Sequence, residues 1–204
     1  MQKTKIIMRT LLILILTTSL SIESFAQEVN EEIKKTFKNY FQTIEKKDNE
    51  KTLDFIYPKL FEHFPKERML QAMNKMKEDT STIITMGNPA LKSISKTLEL
   101  DGIKYVLMKY SFKMTMKIFS PKNETSNEEE NFNIADFTYE MLKTKYGEKN
   151  VLYNREKSKL DITVNNEMYV IKNPEYKAWK FLEKKDSMKP LLKKILPKKV
   201  LKKL

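Results

Sequence analysis

The sequence predicts an α+β domain in which helices come first, an antiparallel sheet follows and short helices close the chain. Three observations predict it. Between residues 28 and 78 apolar side chains recur at helical spacing among charged ones. From Val106 to Ile118 every second residue is apolar. In the last seventeen residues, "MKPLLKKILPKKVLKKL", the helical spacing returns.

The helices come first. In "VNEEIKKTFKNYFQTIEKKD", Ile33, Phe37, Tyr40, Phe41 and Ile44 share one face, with Asn30 as the expected cap. "NEKTLDFIY" reads as a shorter helix stopped by Pro58. "PKERMLQAMNKMKED" reads as a third, with Pro65 at its first position and Leu70, Met73 and Met76 facing inward.

Then the period changes. "STIITM" is a strand ending at the turn signal "GNP". Asp101-Gly102 is a favoured two-residue hairpin loop, and "IKYVLMKYSFKMTMKIF" is the long strand after it. Val106, Met108, Tyr110, Phe112, Met114, Met116 and Ile118 lie on its dry face, with Lys109, Lys113 and Lys117 on the wet one. Tyr105 and Leu107 leave a small apolar patch on the wet side, on which a homodimer could form. "SPKNETSNEEEN" reads as a loop, and "IADFTYEMLKTKYG" as a helix closed by Gly147. "NVLYN", "KLDITVNNEMYVIK" and "YKAWKFLEK" complete the strands. No linker or internal repeat divides residues 27–204, which read as a single domain.

The first 26 residues have a different character. Lys3, Lys5 and Arg9 precede the apolar "TLLILILTTSLSI", and Ser24 and Ala26 occupy the small-residue positions of a cleavage site. This pattern is expected to be a signal peptide cut after Ala26, its apolar core being shorter than the ~20 residues of a spanning helix. The destination is then the periplasm or the medium. The chain has no cysteine, which removes disulfides, thiolate nucleophiles, lipid attachment at cysteine and Cys-based zinc sites together.

The chain's net charge is +12, but the charge is unevenly spread. Lys177 to Leu204 hold eleven lysines and two acids, whereas Gln27 to Tyr176 hold 25 basic and 24 acidic residues. Arg68 and Arg155 are the only arginines after residue 26. A localised lysine tail with so little arginine argues against a nucleic-acid partner.

The opening "IKKTFKNYFQTIEKKDNEKTLDFIYP", the hairpin, and "YVIKNPEYKAWKFLE" followed by "LLKKILPKKVLKKL" resemble the nuclear transport factor 2-like superfamily, in particular its small exported bacterial members. The resemblance covers Glu28 to about Leu204. It implies a cystatin-like cone, a curved antiparallel sheet wrapped on the helices that often leaves a cavity open at one end. It implies no single function, because such folds host isomerases, dehydratases, binding modules and scaffolds.

Candidate chemistry is sparse. His63 is the only histidine, and Asp54 and Asp161 are the acids that could partner it as a general base in such a cone. Met114 and Met116 have the spacing of a soft-metal pair, yet their alternation with Tyr110, Phe112 and Ile118 marks them as core. Tyr110 and Trp179 could stack on a ligand, although Trp179 beside Phe181 reads first as core. Gly87, Gly102 and Gly147 are all taken by turns or helix ends, so no phosphate-cradling loop and no cofactor motif is present.

Within the tail, Met188, Leu191, Leu192 and Ile195 make one stripe, Pro197 breaks it, and Val200, Leu201 and Leu204 make a second. A broken stripe without aromatic anchors suits two short helices docked on the domain as part of the roof formed by the leading helices. The lysines then point outward, and Lys193, Lys194, Lys198 and Lys199 are candidates for contact with an anionic surface. Three functions compete at this stage. The first is a non-enzymatic exported binding or accessory domain with an apolar pocket. The second is a small-molecule isomerase- or dehydratase-like enzyme using an acid or His63. The third is an envelope-surface protein using its tail on anionic lipid.

Overall fold

The structure, a computed structural model, describes residues 27–78, 81–119 and 134–204. The signal read in residues 1–26 and the polar run around Asn123 lie outside the described residues.

Helix α1 occupies residues 27–45, so Asn30 sits inside it rather than capping it. Val29, Ile33, Phe37, Tyr40 and Phe41 are its buried face, the stripe the spacing predicts. Helix α2 (Asn49–Asp54) is capped by Asp48, whose side chain accepts from the Lys51 amide at 3.2 Å. It ends three residues short of the expected stop at Tyr57. Tyr57 precedes Pro58, which disfavours helical backbone, and it is extended at φ −61°, ψ 119°. A 3₁₀ turn (Pro58–Leu60) leads to helix α3 (Lys66–Glu78).

The described sheet has six antiparallel strands and does not close. These are β1 (Thr82–Ile94), β2 (Leu98–Leu100), β3 (Ile103–Ile118), β4 (Val151–Asn154), β5 (Lys159–Lys172) and β6 (Lys180–Glu183). Their order is β1-β3-β5-β4, with β2 also on β3 and β6 also on β5. Helix α4 (Ile134–Tyr146) precedes β4, and α5 (Lys189–Ile195) and α6 (Lys198–Lys203) end the chain. The β2–β3 hairpin turns at Asp101 and Gly102 with φ of 53° and 74°, the left-handed pair that a two-residue loop needs. Gly147 follows α4 at φ 88° and donates to the Lys143 carbonyl at 2.8 Å.

The sheet departs from expectation in two places. "GNP" does not end a strand: β1 runs on to Ile94, with register shifts between Gly87 and Ala90 and between Leu91 and Ser93. Asn88, at φ 51°, takes up the bulge, and Pro89 is tolerated because β1 is an edge strand. At the other extreme, "YKAWKFLEK" pairs only over Lys180–Glu183.

Both faces of the sheet carry a core. On the inner face, Val106, Met108, Tyr110 and Phe112 of β3 and Ile162, Val164, Met168 and Val170 of β5 pack under α1. Rings interlock there, Phe37 with Tyr110 at 5.3 Å and Phe41 with Phe112 at 5.6 Å between centroids. On the outer face a second cluster forms from Tyr105, Tyr169, Ile171 and Leu182. Tyr57 and Leu60 join it from the α2–α3 connection, and Leu192, Ile195, Leu196 and Val200 join from the tail.

The tail therefore docks as two short helices, but on the face opposite α1 rather than as part of the same roof. Its helices cover Tyr105, which is buried, and Leu107, which is half-buried, so the patch expected to support a homodimer is occupied by the chain itself. The chain reaches both faces along the β6 edge. There the Tyr57 amide donates to the Phe181 carbonyl at 2.9 Å and the Phe181 amide to the Phe55 carbonyl at 2.8 Å.

Candidate functional site

The inner core is packed, and the cavity sits beside it. α1, α2 and α3 are joined by short polar contacts. The Thr52 hydroxyl lies 2.9 Å from that of Thr43, joining α1 to α2. The Asn49 amide donates to the Asn74 side-chain carbonyl at 2.8 Å, joining α2 to α3. Lys47, at φ 54°, turns the chain between α1 and α2.

Helix α3 sets Met69 against the outer-face cluster but leaves the rest of its stripe incompletely covered. Leu70 and Met73 are only half-buried and Met76 is 68 % exposed, so the inward stripe expected of this helix is not filled by the domain. Beneath it lies a cavity of about 340 Å³, bounded by Ile44, Met73 and Met76 on the helical side and by Ile83, Ile84 and Met86 of β1 on the other. Glu45, Lys47 and Asn49 supply polar groups to its lining. A Cβ on Gly87 would stand 3.4 Å from the Glu45 carboxylate, so β1 passes close under the end of α1.

Methionines and isoleucines on both walls, Met73 and Met76 beside Ile44 and Met86 beside Ile83 and Ile84, make a deformable apolar surface. The polar groups at the α1–α2 turn give it one wet end. No group of three or more acidic or histidine side chains arranged to hold a metal occurs among the described residues. A wider hollow of about 500 Å³ lies between the end of β3, with Ile118 and Phe119, and the charged turn of Glu156, Lys157 and Ser158 before β5, and it adjoins residues outside the description.

The residues singled out by sequence lie elsewhere. Asp54, at the end of α2, is exposed and paired with Lys66 at 2.7 Å. His63 is exposed in the turn before α3. Asp161 is on the outer face of β5, accepting from the Thr115 hydroxyl at 2.6 Å and paired with Lys159 at 2.9 Å. The Thr115 hydrogen bond, with Lys159 beside it, holds its carboxyl below the usual range. Among the described residues, no hydrogen bond or ion pair joins His63 to either acid.

Trp179 is buried, its indole N–H donating to Glu32 at 2.9 Å. Met114 is buried in the inner core and Met116 packs half-buried against it. Tyr110 is buried too, and its phenol donates to the Glu183 carboxylate. The side-chain amide of Asn166 donates to the same phenol at 3.4 Å, while Lys185 lies 3.7 Å from the second Glu183 oxygen. Burial, reinforced by Glu183, pushes the Tyr110 phenol far above its ordinary range, and the same two causes act on Tyr40. Both phenols remain protonated, and that of Tyr110 is a donor. This cluster ties β3, β5 and β6 together and lines neither cavity.

Sequence reasoning missed the cavity because the stripe of α3 was expected to pack inward, whereas Met73 and Met76 leave a space between themselves and residues 82–86 of β1. Its signal was in the chain nonetheless: an amphipathic helix whose Met73 and Met76 face a strand that carries Ile84 and Met86.

The class that fold and site define is an α+β domain with helices on both faces of an open antiparallel sheet and a methionine-lined cavity at one sheet edge. Compared with known proteins, the chain matches no family model, no curated protein and no solved structure.

Proposed function

We propose that this protein is a non-enzymatic binding domain, and that the cavity between α3 and β1 receives an apolar or amphipathic small molecule. The observation that carries the reading is the unfilled methionine face of α3, Met73 and Met76 over Ile84 and Met86, in a domain whose inner core is otherwise packed. About 340 Å³ is within the usual size of small-molecule sites. The apolar body of the ligand rests on the methionines, and its polar end meets Lys47, Asn49 or Glu45.

The helices-then-sheet order supports the resemblance to the nuclear transport factor 2-like superfamily, and the reading includes export with removal of residues 1–26. The test uses protein recovered from the exported fraction, whose first residue should be Gln27. Medium-chain fatty acids and uncharged detergents at sub-micellar concentration should raise its unfolding midpoint, by about 2.7 kcal/mol of stability at a hundredfold excess over Kd. Met73→Arg places a charge in the cavity and should abolish the rise while the variant remains folded. A wild type indifferent to every such ligand would sink the proposal.

A further inference from the structure

Eight lysines lie on α5 and α6 or close to them on the outward side, and their pairing divides them. Lys185 and Lys189 have acidic neighbours, Glu183 at 3.7 Å and Asp186 at 3.0 Å. Lys193, Lys194, Lys198, Lys199, Lys202 and Lys203 are all exposed and have no ion pair among the described residues. The rest of the chain balances its charges, so this concentration is local.

Folding accounts for the six only in part: Lys193, Lys194, Lys202 and Lys203 stand in the last turns of α5 and α6, where the helix dipole favours cations. The apolar side of both helices is already used, with Leu192, Ile195, Leu196 and Val200 buried against the outer sheet face. Lys198 and Lys199 stand in the first turn of α6, where the helix dipole favours acids and none is present. Lys198 and Lys202, and Lys199 and Lys203, are like charges four residues apart, a spacing that destabilises a helix. The first-turn lysines and the like-charge spacings work against α6, yet α6 is held. Val200 is fully buried, and the Lys184 ammonium donates to the Leu204 carbonyl at 2.9 Å, fastening the last turn to the sheet.

We infer that this outward face of α5 and α6 is a basic platform that adsorbs the protein onto an anionic lipid bilayer. Both helices are docked on one face of one sheet, so their lysines project from the same side of the molecule. That geometry fits a flat anionic surface better than a strand in a groove. Lysine is a point charge without the arginine fork that reads nucleic-acid phosphate. Contact is by adsorption and not insertion, because the apolar stripe that an interfacial helix would bury in lipid is turned into the domain. The inference is independent of the cavity, which shares no residue with the platform.

The experiment is co-sedimentation of the full chain with vesicles of phosphatidylcholine alone or with about a third phosphatidylglycerol. The result expected is binding to the anionic vesicles only, reduced at least about 100-fold when all six lysines are replaced by glutamine, and similarly at half-molar salt. The variant retains residues 1–26, so loss of binding isolates the tail from the leading segment. Should the sixfold variant fail to fold, Lys199→Gln with Lys203→Gln should still weaken binding about tenfold. Equal binding to neutral vesicles, undiminished binding of the glutamine variants, or no vesicle binding at low salt would each overturn the inference. Retention on heparin without vesicle binding would also overturn it, in favour of a soluble polyanion.

Discussion

The two faces of the sheet are dry for different reasons. The inner face is roofed by one long helix whose aromatic residues interlock with those of β3 and β6, so its core spans most of the sheet. The outer face is dry only at one end. At Tyr105, Tyr169, Ile171 and Leu182 it is covered by two helices of seven and six residues. Farther along, Lys109, Lys113 and Lys117 stand in solvent. A helix that short has no independent stability in water. The tail is therefore helical because it is docked, whereas α1 is long enough to bring its own structure to the packing. The difference teaches where the molecule can open first.

The largest expected effect is on the inner face. Phe181 is buried between Phe37, Tyr40 and Phe55, with centroids 5.1 to 6.4 Å away. Phe181→Ala should remove about 3–5 kcal/mol of stability in chemical denaturation, with the whole domain destabilised together. Leu192→Ala on the outer face should remove about 2–3 kcal/mol, at the lower end of such substitutions because a seven-residue helix can settle into the gap. Hydrogen exchange separates the two cases. In the Leu192 variant, amides of α5 and α6 should exchange while those of β3 and β5 stay protected. Exchange of tail and sheet in step would break the comparison and make the two faces one cooperative unit.

The inner face was legible in the sequence and the outer one was not. Alternation from Val106 to Ile118 locates the inner core because those positions point one way. The outer core shows instead as a failure of alternation: "YVLM" at 105–108 and "MYVI" at 168–171 are continuous apolar runs, the pattern of strands buried on both sides. Read as strand ends, those runs left Tyr105 and Leu107 looking like an exposed patch. The tail's docking was legible from Leu192, Ile195 and Val200, but its face was not, since a stripe specifies that a helix packs and not what it packs against. The cavity was hidden further, because spacing shows that Met73 and Met76 share a face of α3 and not whether β1 comes close enough to cover them. Asp54, His63 and Asp161 were chosen by chemical type alone. Type does not determine which side of a sheet or which end of a helix a residue occupies.

The smallest effect falls at the border between the dry and wet parts of the outer face. Glu167 lies there, 3.0 Å from Lys109 on the exposed strip and 3.1 Å from Lys184, which also holds the Leu204 carbonyl. The hydrogen bond from Lys109, with a further one from Lys184, lowers its carboxyl below the ordinary value of 4.5 against the opposing effect of partial burial. A folded-state value below the unfolded one contributes stability that is complete above the unfolded pKa and is lost as pH falls through the folded one. Glu167→Gln should therefore lower stability near neutral pH by about 0.2–1 kcal/mol, as for partly exposed ion pairs. The gap from wild type should close as pH falls through and below the ordinary carboxylate range. Denaturation midpoints measured across that interval decide the cause. A gap that persists unchanged in acid means that Glu167 acts through packing, and the tail is then tied to the sheet by its apolar stripe without help from the charges at its border.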